Sequence, residues 1–256
     1  MKRLVIALSA FIGMTATALA ADMAVKAPPR AVPVPLPYSW TGCYVGVAGG
    51  GAWGRSRHIS GDLATLNLNI TNNYDMSGGI AGVEYGCNWQ TGAWVLGTES
   101  DFSWTNLRGS AFDIPPFNTT SISHTKENWL STSRVRVGFL PTPQLLLYGT
   151  GGVAAASVQA LVDGTASGAG IISETATRWG WTGGVGAEYA LGNGWSAKAD
   201  YLYVRLNNRS YFIPPPLGFA IRNNVPVEEH IVRVGVNYKF TNCLFLFNCG
   251  AVVAKY

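Results

Sequence analysis

The chain has 256 residues, and charged side chains make up 12% of it, whereas soluble domains carry about 25%. Its 31 glycines and 9 tryptophans, combined with so few charges, are typical of a protein that exposes little of its surface to bulk water. Without Lys2 and Arg3, which belong to the leader described next, 16 basic and 14 acidic residues remain. This small excess of positive charge argues against a nucleic-acid-binding surface.

The N-terminus has the pattern of an export signal. Lys2 and Arg3 precede a run of apolar and small residues from Leu4 to Leu19, and Ala18-Leu19-Ala20 has the A-x-A form of a cleavage site. Residues 1–20 are therefore predicted to be a cleaved signal peptide. Residues 21–39 hold five prolines and are predicted to form an extended periplasmic linker. No other stretch approaches the ~20 apolar residues of a membrane-spanning helix.

From residue 40 onward, segments with alternating polar and apolar residues recur along the chain. This alternation is typical of β-strands with two unlike faces. We predict eight strands, near 42–54, 75–89, 93–104, 128–140, 144–157, 176–190, 195–207 and 229–240. The gaps between them alternate between short turns, such as Gln90-Thr91-Gly92, Pro141-Thr142-Pro143 and Leu191-Gly192-Asn193-Gly194, and long polar loops. Short turns at one end and long loops at the other predict an all-β, eight-stranded, antiparallel up-and-down transmembrane barrel over residues 40–240.

The positions of the aromatic residues indicate which face of each strand meets lipid. At the long-loop ends, the apolar face carries Trp53, Trp104, Trp129, Trp179 and Trp181. At the opposite ends it carries Trp89, Trp94, Phe139, Tyr189, Trp195 and Phe240. Two aromatic girdles separated by small and aliphatic residues are typical of a surface that crosses a bilayer. The apolar face is therefore predicted to point outward, into lipid.

The polar face is then the barrel interior, and it carries five acids and five bases. These are Glu84, Glu99, Asp101, Arg134, Arg136, Glu188, Lys198, Asp200, Arg233 and Lys239. Eight strands enclose room for side chains and no open aqueous pore. We expect these charges to pair with one another as a structural core, and a narrow path for ions is the alternative.

Several segments carry a resemblance to a known family: WTGCYVGVAGGGAWG (40–54), AGVEYGCNWQTGAWVLGTESDFSW (81–104), RVRVGF (134–139), LLLYGTGG (145–152) and GAEYALGNGWSAKADYLY (186–203). They are similar to the small outer-membrane β-barrel proteins of alphaproteobacteria, surface antigens related to the OmpA transmembrane domain. The resemblance implies an eight-stranded barrel in the cell outer membrane, with both chain termini in the periplasm and the long loops outside the cell. It implies roles in envelope integrity and as a surface antigen, with porin-like or haem-binding activity in some members.

The residues do not form a recognisable catalytic, cofactor-binding or metal site. His58, His124 and His230 lie in or beside the loops without a Ser or carboxylate partner at a known spacing, and we expect them to be solvated. We therefore predict a structural, non-enzymatic barrel that presents loops at the cell surface. A narrow porin-like channel is the first alternative, and a lipid-modifying enzyme is the second. The expected partners are outer-membrane lipids and lipopolysaccharide, the barrel-assembly machinery and a possible extracellular ligand of the loops, but no nucleic acid.

The four cysteines predict two disulfides in an exported chain. Cys43 and Cys87 lie at the periplasmic ends of two neighbouring strands and share the outward face, although a one-residue slip in register would separate them. Cys243 and Cys249 lie in residues 241–256, a predicted periplasmic tail that follows a closing strand ending at Phe240.

Overall fold

A computed structural model describes residues 38–60, 68–168, 170–207, 210–213 and 221–240. The predicted signal peptide, nearly all of the predicted linker, the tail and the predicted Cys243–Cys249 disulfide lie outside the described residues. None of the described residues belongs to a helix long and apolar enough to cross a membrane.

The described residues form twelve strands and one short helix. The strands are β1 (Gly42–Ser56), β2 (Ile59–Ser60), β3 (Tyr74–Thr91), β4 (Trp94–Thr105), β5 (Arg108–Phe112), β6 (Ile122–Thr142), β7 (Leu145–Asp163), β8 (Ile171–Gly192), β9 (Trp195–Leu206), β10 (Ser210–Ile213), β11 (Ile221–Asn224) and β12 (Val227–Phe240). A single 3₁₀ turn spans Thr165–Ser167. The eight long strands correspond to the eight predicted ones, and the four short strands lie within segments that were predicted as loops.

The eight long strands close into an antiparallel barrel. Their order around the ring is β1-β3-β4-β6-β7-β8-β9-β12, and β12 returns to pair with β1. That last pairing runs from Cys43 opposite Phe240 to Ser56 opposite Val227. Because the ring is closed, each of its strands has a partner on both sides and the barrel has no open edge.

The turns at one end of the barrel are tighter than predicted. Each turn there consists of two residues, which are Gly92-Ala93, Pro143-Gln144 and Asn193-Gly194. Asn193 and Gly194 have φ angles of 51° and 85°, and positive φ at both central residues is the geometry of a type I′ hairpin turn. At the other end, β6 and β7 extend six residues and β8 extends five residues beyond the predicted boundaries. The barrel wall therefore continues beyond the outer aromatic girdle.

Two apolar clusters lie inside the barrel. The larger one is near the loop end and includes Ile80, Leu130, Leu202 and Ile231. The smaller one is at the turn end and includes Trp40, Leu146 and Tyr148. The Trp40 indole donates a hydrogen bond to the Pro143 carbonyl over 3.1 Å, so this side chain closes the mouth of the barrel against a turn.

The outward face is apolar and exposed, as the alternation predicts. Val45, Val83, Val135 and Val234 are each at least 49% exposed. The predicted girdle residues also point outward, and most are close to half exposed or more. Trp129 is less exposed because its ring stacks on Phe102, with 5.8 Å between the ring centroids. The surface has the form of an apolar band between two aromatic girdles.

Cys43 and Cys87 form a disulfide, as the sequence predicts. The antiparallel register of β1 and β3 places the two residues directly opposite each other. Because the short turns lie at this end, the disulfide ties the first two barrel strands together near the predicted periplasmic mouth.

Candidate functional site

The inward face of the barrel gathers nine of the ten predicted charges. Each of the nine is at least 95% buried. They are Glu84 on β3, Glu99 and Asp101 on β4, Arg134 and Arg136 on β6, Glu188 on β8, Lys198 and Asp200 on β9, and Arg233 on β12. We call these nine residues the ion-pair network. Strand alternation places network residues that share a strand on one side of the wall, because Glu99 and Asp101, Arg134 and Arg136, and Lys198 and Asp200 are each two residues apart.

Glu99 is the centre of the network. Its carboxylate accepts hydrogen bonds from Arg134 at 2.5 Å, from Arg136 at 3.0 Å and from Lys198 at 3.1 Å. The Tyr44 hydroxyl donates a fourth hydrogen bond, at 2.6 Å. Three cations around one buried carboxylate offset the cost of removing that charge from water.

Arg233 and Lys198 bridge separate strands across the lumen. Arg233 on β12 makes a two-pronged contact with Asp200 on β9, with both distances 3.0 Å, and also donates to Asp101 on β4 at 2.9 Å. Lys198 lies 2.8 Å from Glu84 and 3.2 Å from Asp200. The network therefore crosses the interior from wall to wall.

Arg136 connects strands on opposite sides of its own. It pairs with Glu99 on β4 at 3.0 Å and with Glu188 on β8 at 2.8 Å. Its guanidinium also lies over two aromatic rings, 5.1 Å from the Tyr44 centroid and 4.8 Å from the Tyr148 centroid. Neither tyrosine was singled out in the sequence, although each lies on the inward face of its strand.

Neutral polar residues complete the network, and they were also missed. Asn88 accepts a hydrogen bond from Arg136 at 3.0 Å, and Glu188 accepts from Ser196 at 2.5 Å and from Asn237 at 3.1 Å. Thr132 donates to Asp101. Their inward parity was the available signal, because a small polar residue facing a buried charge has few other partners.

Lys239 was wrongly assigned to this set. Its ammonium donates to the Ser39 carbonyl and lies 4.2 Å from the centroid of the Tyr38 ring. No carboxylate lies within ion-pair distance of Lys239 in the described part of the chain. Its parity is inward, but it is the penultimate residue of β12, so it lies at the mouth of the barrel beyond the buried acids.

A second buried polar group lies nearer the loop end. Along β12 from Arg233 toward the loop end, the next inward-facing residues are the apolar Ile231 and then Glu229. Glu229 and Glu127 of β6 are almost fully buried, and their carboxyls are within hydrogen-bonding distance of each other. We call these two residues the carboxyl pair. Because β6 and β12 are four strands apart in the ring of eight, the pair spans the lumen.

The carboxyl pair has fewer cations and hydrogen-bond donors around it than the acids of the ion-pair network have. Arg178 on β8 is the cation that acts on both carboxyls, and it also donates to the Val225 carbonyl. Neither oxygen of Glu229 accepts a hydrogen bond from a donor group of the described residues. Two carboxyls form a hydrogen bond with each other only when one of them carries a proton.

A bulge explains why the sequence did not predict the carboxyl pair. The register between β6 and β7 shifts between Glu127 and Trp129. Trp129 points outward, so uninterrupted alternation would turn Glu127 outward as well. The extra residue reverses the parity and brings Glu127 inside, and sequence periodicity alone does not reveal such a shift.

The three histidines differ from one another, and the prediction that all are solvated is wrong for His58. His58 is fully buried, and its Nε2 lies 3.1 Å from the Thr125 hydroxyl. Burial, reinforced by the electrostatic influence of Arg178 and His124, lowers the pKa of His58 to about 3. His230 lies on the outward face, where its Nδ1 is 2.7 Å from the Tyr201 hydroxyl. The barrel's extension beyond the girdle encloses the segment that contains His58.

The described residues do not contain a group of three or more His, Cys, Asp or Glu side chains suited to holding a metal ion. In the same ranges, His230 has a tyrosine as its hydrogen-bond partner and not the serine or carboxylate of a hydrolase site. The interior geometry that the described residues do show is charge pairing.

Comparison with known proteins gives one family and several relatives. A family model described as "Outer membrane protein beta-barrel domain" matches residues 7–240. The 31 kDa outer-membrane immunogenic protein of Brucella melitensis is 37% identical over 241 residues, which cover 91% of this chain and 98% of that protein. The 22 kDa outer membrane protein of Rhizobium leguminosarum is 30% identical over 211 residues, covering 81% and 82%.

Among solved structures, the outer membrane protein OprG from Pseudomonas aeruginosa is similar in fold. The TM-score is 0.50 at 14% sequence identity, and the match covers 78% of this chain and 97% of that one. At this identity the likeness bears on the fold alone.

Proposed function

The chain belongs to the outer membrane protein β-barrel domain family, and from that premise we propose that it is a non-enzymatic structural barrel with a closed interior. Its location is the outer membrane, and lipid and lipopolysaccharide are its surroundings. The proposed role is to contribute to envelope integrity and to present the loop end of the barrel outside the cell.

The observation that carries this proposal is the filling of the lumen. Arg233 joins acids of β4 and β9 across the interior, and Glu99 contacts cations of β6 and β9. The apolar clusters lie on either side of these charges along the barrel. An ion crossing the barrel would have to break several buried ion pairs and then pass a layer of aliphatic side chains, and both steps are costly.

Planar-bilayer recording from the refolded protein tests the proposal against a narrow channel. We expect no stepwise conductance from the wild type. The double variant Arg233→Ala/Asp200→Ala removes a matched pair of opposite charges from the lumen and serves as the positive control. A difference in gel mobility with and without boiling verifies that both proteins are folded. Stable, ion-selective steps from the wild-type barrel would overturn the closed-interior proposal.

Two further partners follow from the same proposal. β12 closes the barrel and ends at Phe240, and we propose that this strand is the segment that the barrel-assembly machinery recognises. The strand extensions beyond the outer girdle, with the loops that join them, form the surface available to an extracellular ligand. Crosslinking from a photoreactive group at position 234, on the outward face of the same strand, tests the first of these during assembly. We expect the crosslinks to be lost in Phe240→Ala and kept in Phe240→Tyr, which retains an aromatic ring; equal crosslinking in the two variants would contradict recognition through Phe240.

A further inference from the structure

A basic pocket lies on the outward surface at the loop end of the barrel. Three arginines line it together with Asn73 and Glu228: Arg55 near the end of β1, Arg57 just after that strand, and Arg205 near the end of β9. Its volume is about 360 Å³. Neither the ion-pair network nor the carboxyl pair contributes to its lining.

The arginines of this pocket are only lightly neutralised. The register places Arg55 opposite Glu228, and Glu228 opposite Arg205. Arg205 lies 3.6 Å from Glu228, and Arg55 lies 3.3 Å from Asp75, with all four side chains about half exposed or more. Exposed ion pairs of this kind contribute little to stability, so another anion can replace the carboxylates at little cost. Arg57 has no carboxylate within ion-pair distance among the described residues.

An aromatic row lies directly beneath the arginines. Two residues further into the band on each strand are Trp53 on β1, Tyr203 on β9 and His230 on β12. The His230 ring is 6.3 Å from Trp53 and 5.3 Å from Tyr203, measured between centroids. Such rings occupy the boundary between headgroups and acyl chains, so the pocket lies at headgroup level on the extracellular side.

Further toward the middle of the apolar band, the outward surface next to the aromatic row carries glycine and valine. The next residues on β1 and β12 are Gly51 and Val232, followed by Gly49 and Val234. A Cβ atom at Gly51 would meet nothing within 4 Å, so the missing side chain leaves a shallow groove open to the bilayer. The patch thus presents cations, then aromatic rings, then an apolar groove, in the order of an anionic amphiphile's headgroup, interface and acyl chain.

We propose that this patch binds a phosphorylated, acylated glycolipid of the outer leaflet, with its phosphate between the arginines and an acyl chain along the groove. Guanidinium groups match phosphate oxygens with paired hydrogen bonds, which favours a phosphate over a single carboxylate. The extracellular level of the pocket selects a lipid of the outer leaflet. The proposal rests on the outer-membrane location and is independent of whether the interior is closed.

Native mass spectrometry of the refolded full chain, titrated with lipid A in detergent, tests the proposal. The double variant Arg57→Gln/Arg205→Gln removes two charges from the pocket. The matched control Arg108→Gln/Lys126→Gln removes two exposed charges that lie opposite each other on β5 and β6, outside the pocket. Lipid A without its phosphates, phosphatidylglycerol and inorganic phosphate are the comparison ligands.

We expect one lipid A to bind the wild type and the control alike, and about tenfold more weakly to the pocket variant. Lipid A without phosphates should lose a comparable factor, and inorganic phosphate should not displace the lipid. Equal binding by the pocket variant and the control would overturn the site. Equal binding of phosphatidylglycerol would overturn the glycolipid assignment, and displacement by inorganic phosphate would overturn the role of the groove. Gel mobility with and without boiling shows that each variant is folded, and bilayer conductance of the wild type reports separately on the closed interior.

Discussion

The ion-pair network and the carboxyl pair are both buried in the same lumen, but their charges are compensated in different ways. In the network, five acids face four bases, and Glu99 alone contacts three cations. In the carboxyl pair, two acids contact each other and share the influence of one arginine. Only the apolar layer that includes Ile231 and Leu130 separates the two along β12 and β6. A β-barrel wall can thus hold a rigid electrostatic core beside a group that depends on a proton.

The largest expected effect comes from breaking the network at Arg136. Arg136→Ala removes the ion-pair partner of Glu188 and one of the three cations around Glu99, and removing one side of a buried pair costs about 3–5 kcal/mol. Val135→Ala is the control, because Val135 is 53% exposed on the outward face. Urea unfolding in lipid bilayers, followed by tryptophan fluorescence, measures both. Equal losses would show that Arg136 is not held in a buried network.

The same substitution in the two regions gives the sharpest contrast. Glu99→Gln removes the charge that three cations share, and we expect a loss of about 3 kcal/mol. Glu127→Gln gives Glu229 an amide donor without requiring a shared proton, so stability at neutral pH should stay constant or rise by about 1 kcal/mol. Unfolding free energies of the two variants check this. A loss for Glu127→Gln as large as that for Glu99→Gln would contradict the assigned difference.

The disulfide is expected to stabilise the periplasmic end less than the network stabilises the interior. Cys43 and Cys87 are 44 residues apart in sequence, and closing a loop of this size is worth about 2–4 kcal/mol. Cys43→Ala/Cys87→Ala should lower the unfolding free energy by that amount and leave the folded barrel's gel mobility unchanged. Reduction of the wild type should reproduce the loss. A reduced wild type as stable as the oxidised protein would exclude this contribution.

His58 should make the stability of the loop end depend on pH. Because its folded pKa is lowered to about 3, the unfolded chain binds a proton between about pH 6.5 and 3 while the folded chain does not. Its contribution therefore disappears as the pH falls, by at most about 1.4 kcal/mol per pH unit. His58→Gln has no imidazole to titrate at this position. The stability advantage of the wild type over the variant, measured as the difference in free energy of unfolding, should therefore shrink as the pH falls.

Asp113 makes stability depend on pH in the direction opposite to that of His58. The wild type and His58→Gln must therefore be compared with each other at each pH. Burial raises the pKa of Asp113 to about 6, so its stabilising effect is present at low pH and is lost as the pH rises through about 6. Asp113 is unchanged in His58→Gln and cancels when the two proteins are compared at equal pH. A constant difference between pH 4 and 7 would show that His58 is not buried in its neutral form.

The alternation of residues predicted the eight barrel strands and the inward position of nine charges. It succeeded because a residue's parity within a strand decides its side of the wall, and lipid tolerates few charges. It failed for Lys239, because parity does not report depth along the barrel axis. It also failed for Glu127, because one bulge reverses the parity and the alternation of residues does not reveal that bulge.

What the amino-acid sequence determined by itself was the barrel class, the strand number and the lipid-facing surface, since each follows from local periodicity and composition. The tertiary structure decided which partners meet: Arg136 with Glu188, Glu127 with Glu229, and the three arginines of the outer pocket. These contacts join β6 to β8, β6 to β12 and β1 to β9. They depend on ring closure, strand register and one bulge, and these are set by the packing of the whole barrel and not by any one strand.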